Sequence, residues 1–308
     1  MRRKNSRRII DSHAHVVQYI AGIGAGGELR SIGGGMAVYA NGQKVRMIPE
    51  QFKEDRVTPE DLLAVMNENG VEKAVLLQGN FYGFQNQYTY EAVKKYPDRF
   101  VGAGSYDPFS RDREGIRSYL FDELGFTIEK FEVSTGSGLM AMHPVFSLDG
   151  DIMDEACAYA RSRDHIFVID IGKCGSDSWQ ISKLKNLVSR YSDMRFVACH
   201  LLAAKPEQEG MLREALSELT MPNLWFDLSS VVHNCRPDSY PYPKARHFLK
   251  LAKELVGADR LMFGTDIPSA LKEDTYDQYV SYIEDSLIFT EREKNLIFYE
   301  TAKNVFGL

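Results

Sequence analysis

The hydrophobic positions of this chain fall in short apolar runs separated by longer amphipathic segments. Short apolar runs are typical of buried parallel strands, and apolar residues recurring every three or four positions are typical of helices that pack on them. Eight such runs predict eight strands, at about residues 8–13, 73–78, 100–106, 128–133, 165–170, 195–200, 224–228 and 260–265.

Helix signals lie in the segments between these runs. The clearest are at residues 58–69, where Thr58 is a predicted N-cap, Pro59 takes the first helical position and Gly70 follows the end. The predicted helices cover residues 58–69, 87–96, 113–124, 149–162, 178–191, 207–219, 243–255, 276–286 and 291–306. This alternation predicts an α/β fold, a single (β/α)8 TIM barrel domain over residues 1–308, with an open doubly wound sheet as the alternative.

A His-x-His pair ends the first predicted strand. Side chains two apart on a strand share a face, so His13 and His15 lie about 6.6 Å apart along the backbone and can reach one metal ion. The inference depends on the strand, because a helix would direct the two rings apart. On the motif alone, a turn cap and a solvated surface histidine explain the pair equally well.

Polar residues also follow the other predicted strands. Barrel enzymes build their sites at the carboxyl ends of their strands, and a barrel gathers these ends into one ring. Besides the histidine pair, the ionisable residues at these ends are Glu132, Asp170, His200 and Asp266. Any one of them alone suits a strand cap, but the set predicts a metal site.

The composition of the chain limits which classes of binding partner and which cellular location we expect. The 308 residues are 44% hydrophobic and 26% charged with a net charge of -6, which argues against non-specific nucleic-acid binding. No apolar stretch approaches the roughly 18 residues of a membrane span. Four cysteines without a Cys-x-x-Cys pair favour a reducing, cytoplasmic location. The basic residues Arg2, Arg3, Lys4, Arg7 and Arg8 predict a solvated N-terminal arm.

The ordered motifs resemble the amidohydrolase superfamily, specifically its amidohydrolase-2 branch of metal-dependent hydrolases and decarboxylases. The resemblance runs nearly end to end and is carried by IDSHAH at residues 10–15, YPDRFVG at 96–102, FVACH at 196–200, DLS at 227–229, FGTDIP at 263–268 and AKNVF at 302–306. It implies that His13, His15 and Asp266 bind one divalent metal ion. It also implies that His200 acts on a metal-bound water or supports the metal, with Asp266 and His200 as catalytic residues.

One position departs from the family pattern. Asp170 stands where the family has a histidine at the end of the fifth strand. Three interpretations of Asp170 are open. We favour a metal ligand slightly over a residue that orients a ligand histidine. In the third interpretation the replacement abolishes metal binding and the site is inactive. We expect zinc as the metal. Manganese and magnesium are the alternatives, because a carboxylate in place of a histidine shifts the metal preference of the site towards harder ions.

Several residues are candidate contacts for a small-molecule substrate. Glu132 shares a strand face with Lys130 and is also a lower-ranked metal ligand. Tyr82 follows the second strand, and His233 and Arg236 follow the seventh, where a cation such as Arg236 can hold a substrate carboxylate.

The segment from about residue 16 to residue 57 is predicted to be a long glycine-rich loop after strand one. It matches G-x-G-x-x-G but opens no helix in a βαβ unit, which excludes a dinucleotide site. We expect this segment to be a mobile lid or a contact in a homodimer.

Three functions are compatible with these sequence features. The first is a metal-dependent hydrolase of a small carboxylated ester, lactone or amide. The second is a metal-dependent non-oxidative decarboxylase of an aromatic or muconate-like acid. The third is a catalytically inactive binding barrel.

Overall fold

The structure is a computed structural model that describes residues 7–308. Within that range twelve strands form: β1 (Ile10–Ala14), β2 (Ile23–Gly24), β3 (Gly27–Gly33), β4 (Met36–Tyr39), β5 (Lys44–Arg46), β6 (Lys73–Leu76), β7 (Phe100–Gly102), β8 (Ile128–Glu132), β9 (Ile166–Asp170), β10 (Arg195–Ala198), β11 (Leu224–Asp227) and β12 (Leu261–Met262). All eight predicted strands are confirmed, as β1 and β6 to β12. β12 is shorter than predicted at both ends, since Arg260 belongs to a short 3-10 helix and the strand ends at Met262, and β7 ends at Gly102 rather than at residue 106.

These eight strands are parallel and form two sheets. One has the order β1-β6-β7 and the other the order β12-β11-β10-β9-β8. Hydrogen bonds also join the edges: Gly104 N donates to Ile128 O and Lys130 N to Gly104 O, both at 2.9 Å. At the other pair of edges Ser12 N donates to Phe263 O at 2.9 Å. Backbone pairing therefore continues from each sheet into the other.

Helices cover the outer face of these strands. The predicted cap at α1 is confirmed, since Thr58 Oγ1 accepts from Asp61 N at 3.1 Å and Gly70 has a φ of 69°. The α-helices described are α1 (Pro59–Asn69), α2 (Asn86–Lys95), α3 (Arg113–Arg117), α4 (Leu139–Met142), α5 (Asp151–Arg161), α6 (Ile181–Arg190), α7 (Glu209–Glu218), α8 (Val231–Asn234), α9 (Pro243–Val256), α10 (Tyr276–Glu284), α11 (Glu291–Asn295) and α12 (Thr301–Phe306). A π-helical stretch, Ser118–Glu123, extends α3, and another, Leu296–Glu300, joins α11 to α12. The short helices α4 and α8 escape prediction because four residues show no helical period.

The core has two layers on the two faces of the strands. On β9, Ile166 and Val168 belong to an inner apolar cluster, whereas Phe167 and Ile169 belong to the larger cluster beneath the helices. This alternation is the period-two pattern of a strand buried on both faces. The inner cluster fills the space among the strands, below the end where the polar residues lie.

The segment between β1 and α1 is more than the long loop expected from the sequence. It contains an antiparallel sheet of order β2-β3-β4-β5. Leu29, Ala37, Met47 and Ile48 of this segment form a small buried core together with Tyr82. Its glycines serve tight turns, as at residues 33–35, all with positive φ. Two of the strands, β2 and β5, are too short to show a period, and β3, with seven residues, has only one buried side chain, Leu29.

The N-terminal basic residues have two outcomes. Arg2, Arg3 and Lys4 lie outside the described residues. Arg7 is not solvated: its guanidinium pairs with Glu284 at 2.9 Å and retains only 10% exposure. Across residues 7–308, none of the helices has both the length and the apolar character needed to span a bilayer.

Candidate metal and active site

The two histidines of the His-x-His motif lie at the carboxyl end of β1. His13 is on the strand, His15 follows it directly, and both are buried. Their ring centroids are 5.1 Å apart. Asp266 N donates to His13 O at 2.8 Å, which places the segment after β12 beside them. The strand geometry assumed in the sequence argument is therefore present.

Hydrogen bonding determines which nitrogen of His13 can bind a metal. Its Nδ1 lies 3.0 Å from Asp227 Oδ2 and 3.2 Å from Ser229 Oγ. Because a carboxylate only accepts, Nδ1 carries the hydrogen. Burial lowers the pKa of His13 to about 4 even though Asp227 acts to raise it, so the ring is neutral at pH 7. Its Nε2 therefore has a free lone pair.

His15 is oriented in the same way by an amide. Gln78 donates through its Nε2 to the carbonyl of Val16, which turns its Oε1 towards His15 Nδ1 at 3.1 Å. In the neutral ring Nε2 then has no hydrogen, yet it lies 2.9 Å from Asp266 Oδ1. Two lone pairs at this distance repel each other. Either a second ring proton or a metal cation held between them satisfies both atoms.

Asp266 completes this group from the loop after β12. Its Oδ2 accepts from Ser230 Oγ at 2.6 Å, and its backbone has a φ of 66°. Burial acts to raise the pKa of Asp266, but the contact with His15 and the nearby charge of His200 hold it well below its usual range. Asp266 is therefore a carboxylate at neutral pH, as a metal ligand must be.

His200 and Asp170 form a second pair beside this group. His200 Nδ1 contacts Ser229 Oγ at 2.8 Å, and its Nε2 lies 3.5 Å from Asp170 Oδ2. Burial acts to lower the pKa of His200, but Asp170 raises it to about 9. The structure thus places Asp170 against His200, with its other oxygen accepting from Gly172 N at 2.8 Å.

Two groups of side chains have the donor chemistry of a metal site within the described range. In each, the ligand atoms all lie within 4.8 Å of one another: His13, His15 and Asp266 in one, His13, His200 and Asp227 in the other. The first fits a divalent cation, because two lone-pair nitrogens and one ionised carboxylate oxygen converge there. Asp170 belongs to neither group. Asp227 already accepts from His13 and from the backbone of His200, so it suits an orienting role.

A cavity of about 270 Å³ opens over the first group. Lys130 and Glu132 both line it, as expected for residues on one strand face. Glu132 accepts from Ser137 Oγ at 2.5 Å and from Phe81 N at 3.3 Å. Lys130 is buried, and Cys199 Sγ lies 3.4 Å from its Nζ. Burial acts to lower the pKa of Lys130, but Cys199 and the carboxylates of Asp170 and Glu132 raise it, so the side chain stays cationic.

The predicted substrate contacts divide into two sets. Tyr82 and His233 line the cavity, and the Tyr82 ring lies 5.3 Å from that of His15. Arg236 does not line it. Its guanidinium pairs instead with Asp274 and, at 3.1 Å, with Glu273, so the structure does not bring Arg236 to the site.

Sequence reasoning missed three orienting residues. Asp227 ends an apolar strand, so the strand-end rule applied to the other carboxylates could have selected it. Gln78 also follows an apolar strand, but its contact with His15 has no sequence signal. Asp11 accepts from His13 N at 3.1 Å and from Thr265 N at 3.0 Å, which joins β1 to the segment after β12. Burial raises the pKa of Asp11 to about 6.

Parallel strands with helices between them and a histidine–carboxylate group at their carboxyl ends define the class as an α/β metal-dependent enzyme. The family profile described as "Amidohydrolase" matches residues 10–308. The chain therefore belongs to the amidohydrolase family, which confirms the resemblance noted in its motifs. No curated protein matches it.

Solved structures share this fold at low sequence identity. A zinc-bound amidohydrolase from Burkholderia multivorans has a TM-score of 0.71 and 19% identity, covering 97% of this chain and 99% of that one. A probable 2-pyrone-4,6-dicarboxylic acid hydrolase from Acinetobacter baumannii, with citric acid bound, has a TM-score of 0.69 and 16% identity, covering 99% and 100%. The manganese complex of 5-carboxyvanillate decarboxylase from Novosphingobium aromaticivorans has a TM-score of 0.57 and 20% identity, covering 80% and 79%.

Proposed function

We propose that this protein is a metal-dependent hydrolase of a small carboxylated ester, lactone or amide. The observation that carries the proposal is the convergence of His15 Nε2 on Asp266 Oδ1 at 2.9 Å, with His13 beside them. A divalent cation bound there supplies Lewis acidity and lowers the pKa of water from about 15.7 towards about 7.

The side chains of the site divide the remaining work. Asp266 has an ionised carboxylate open to the cavity, so it can take a proton from the attacking water and return it to the leaving group. His200, held as a cation by Asp170, stabilises through its positive charge the negative charge that develops on the substrate carbonyl oxygen. Tyr82, Glu132 and His233 line the cavity and contact the substrate.

We further propose that one metal ion is bound and that it is zinc, with manganese and magnesium as alternatives. Two imidazole nitrogens and one carboxylate form a set typical of catalytic zinc sites. Asp170 lies against His200, which is not one of the three proposed ligands. We therefore propose that Asp170 orients and charges the catalytic His200, which differs from both roles considered from the sequence, a metal ligand and a residue that orients a ligand histidine. The inactive-barrel hypothesis loses its basis, because the donor set does not include Asp170.

We propose that residues 1–308 form one domain with a closed (β/α)8 barrel, which the hydrogen bonds at both pairs of sheet edges support. Cys157, Cys174, Cys199 and Cys235 are all unpaired, which supports the predicted cytoplasmic location. Assembly as a homodimer stays a prediction.

A second candidate is a metal-dependent non-oxidative decarboxylase of an aromatic or muconate-like acid. The rings of Phe81 and Tyr82 in the cavity wall favour it, because they can pack against a planar substrate.

The test combines elemental analysis of the purified protein with a screen of lactones, esters, amides and aromatic acids. We expect about one zinc per chain, hydrolysis of a carboxylated substrate, and loss of turnover with a chelator that added zinc reverses. Release of carbon dioxide from an aromatic acid would favour the decarboxylase. A metal-free protein that turns over its substrate equally well with and without added zinc, manganese or magnesium would refute the metal-dependent proposal.

A further inference from the structure

A second cavity adjoins the first, and we refer to it as the annex. It measures about 320 Å³ and is bordered by the loops that follow β8, β9 and β11. The two cavities share six lining residues, so a ligand at the metal group can extend into the annex: Glu132, Ser137, Asp170, Lys173, His200 and Asn234.

The annex is bounded by loops in close contact. A Cβ at Gly138 would lie 2.3 Å from the backbone nitrogen of Ser134, and one at Gly172 would lie 2.6 Å from Ser134 Cβ. A side chain at Gly172 would force the loops after β8 and β9 apart, and one at Gly138 would collide with the backbone of its own loop after β8. The glycines therefore allow an approach that defines the shape of the annex.

Most polar groups of the annex already have partners. Asp170 faces His200 at 3.5 Å, and Glu132 accepts from Ser137 Oγ and Phe81 N. The positive charge of Lys130 is close to both carboxylates. The negative charges of the annex are thus balanced by groups of the protein itself.

Three side chains that line the annex are uncommitted. Within the described part of the chain, Thr135, Lys173 and Asn234 have neither a side-chain hydrogen bond nor an ion pair. They offer an ammonium, an amide and a hydroxyl; Thr135 and Lys173 lie in the loops after β8 and β9, and Asn234 ends the short helix α8 after β11. One unpaired cation with neutral donors around it suits a singly charged planar anion with several acceptor lone pairs, which is a carboxylate.

We propose that a second carboxylate of the substrate binds where the annex meets the first cavity, through Lys173 and Asn234, which line both. The proposal rests on the proposed function for the position of the reacting group at His13, His15 and Asp266. It assigns to Lys173 the role of carboxylate contact that the sequence had suggested for Arg236. The substrate class is then a dicarboxylate, or a lactone, ester or amide that keeps a free carboxylate at its far end.

The test measures binding and so does not require turnover. Unbranched dicarboxylates from malonate to adipate are titrated into the metal-loaded protein by calorimetry, each beside its monomethyl ester. The ester has the same length but lacks one charge. We expect at least one diacid of the series to bind about 10-fold more tightly than its ester.

Substitutions assign that preference to the annex. We expect Lys173→Met and Asn234→Asp to bring the diacid-to-ester ratio close to one, and Lys173→Arg to retain it. Lys185→Met is the matched control, because Lys185 is an exposed lysine of α6 outside both cavities. It should keep the wild-type ratio.

The outcomes separate this proposal from the hydrolase proposal. If the diacid-to-ester affinity ratio of Lys173→Met stays within about twofold of the wild-type ratio, the annex proposal is overturned, even if the protein hydrolyses a lactone or ester. A diacid preference that depends on Lys173, in a protein without hydrolytic activity, supports the annex and refutes the hydrolase. Wild-type protein that binds no diacid better than its ester also overturns the annex proposal.

Discussion

Replacing Asp227 by asparagine tests whether the metal site depends on the residue that orients His13. Asp227 Oδ2 accepts from His13 Nδ1 at 3.0 Å, and its Oδ1 accepts from His200 N at 3.0 Å. An asparagine has nearly the same shape but can present a donor to Nδ1, which would favour the tautomer that places a hydrogen on Nε2. That tautomer cannot ligate a metal through Nε2.

The expected magnitude follows from the contact that is lost. Removing a group that orients a ligand histidine typically weakens metal binding 10- to 100-fold, or about 1.4–2.7 kcal/mol. The assay is a competition for zinc between the protein and a chromogenic chelator. Asp238→Asn is the matched control, because Asp238 is buried but accepts from Lys244 N at 2.7 Å, far from the cavity lining.

Two results would contradict this reasoning. If Asp227→Asn binds zinc within about twofold of wild type, Asp227 does not orient a ligand. If His15→Ala retains wild-type zinc affinity while Asp227→Asn abolishes it, the metal is bound by the group of His13, His200 and Asp227 instead.

Three further predictions follow from the same geometry. His13→Ala and Asp266→Ala should each abolish metal-dependent turnover while circular dichroism shows an intact fold; activity retained in either refutes the assignment. Asp170→His should change zinc affinity less than about twofold, because Asp170 contacts His200 rather than the donor group, and a clear gain in affinity would make it a ligand. Gly138→Ala should lower the free energy of unfolding, measured in urea, by about 1–3 kcal/mol, because the added Cβ would lie 2.3 Å from a backbone nitrogen. Gly210→Ala is the control and should be neutral or stabilising, because Gly210 lies in helix α7 with open space around it. Equal effects of the two substitutions on the free energy of unfolding would refute the close approach at Gly138.

The sequence predicted the eight strands and the cap of α1 because these depend on local patterns. An apolar run long enough to be buried, or a Thr-Pro start with a glycine end, is visible in one segment of chain. The sheet of β2 to β5 was missed for the converse reason. β2 and β5 are too short to show a period, β3 has only one buried side chain, and the core of the sheet includes Tyr82, from a distant loop, beside Leu29 and Met47.

Candidate site residues show the same division. The strand-end rule selected His13, His15 and Asp266, and the structure brings them together. It also selected Arg236 by charge alone, and the structure pairs that side chain with Asp274 outside the cavity. Lys173, which the rule passed over, lines the cavity instead. Residue type and position in the strand order could not distinguish these two cations.

What the sequence by itself determined is the order of the eight parallel strands and the longer helices, the family, and the histidine pair at the end of β1, since each can be recognised within segments of the chain. Only the tertiary structure decided what each side chain contacts. Asp170 lies against His200 from β10, and Asp227 from β11 against His13 from β1. Contacts between separate strands depend on how the whole sheet is assembled. For that reason the spacing of residues along the chain could indicate a metal site but not the partner of each ligand.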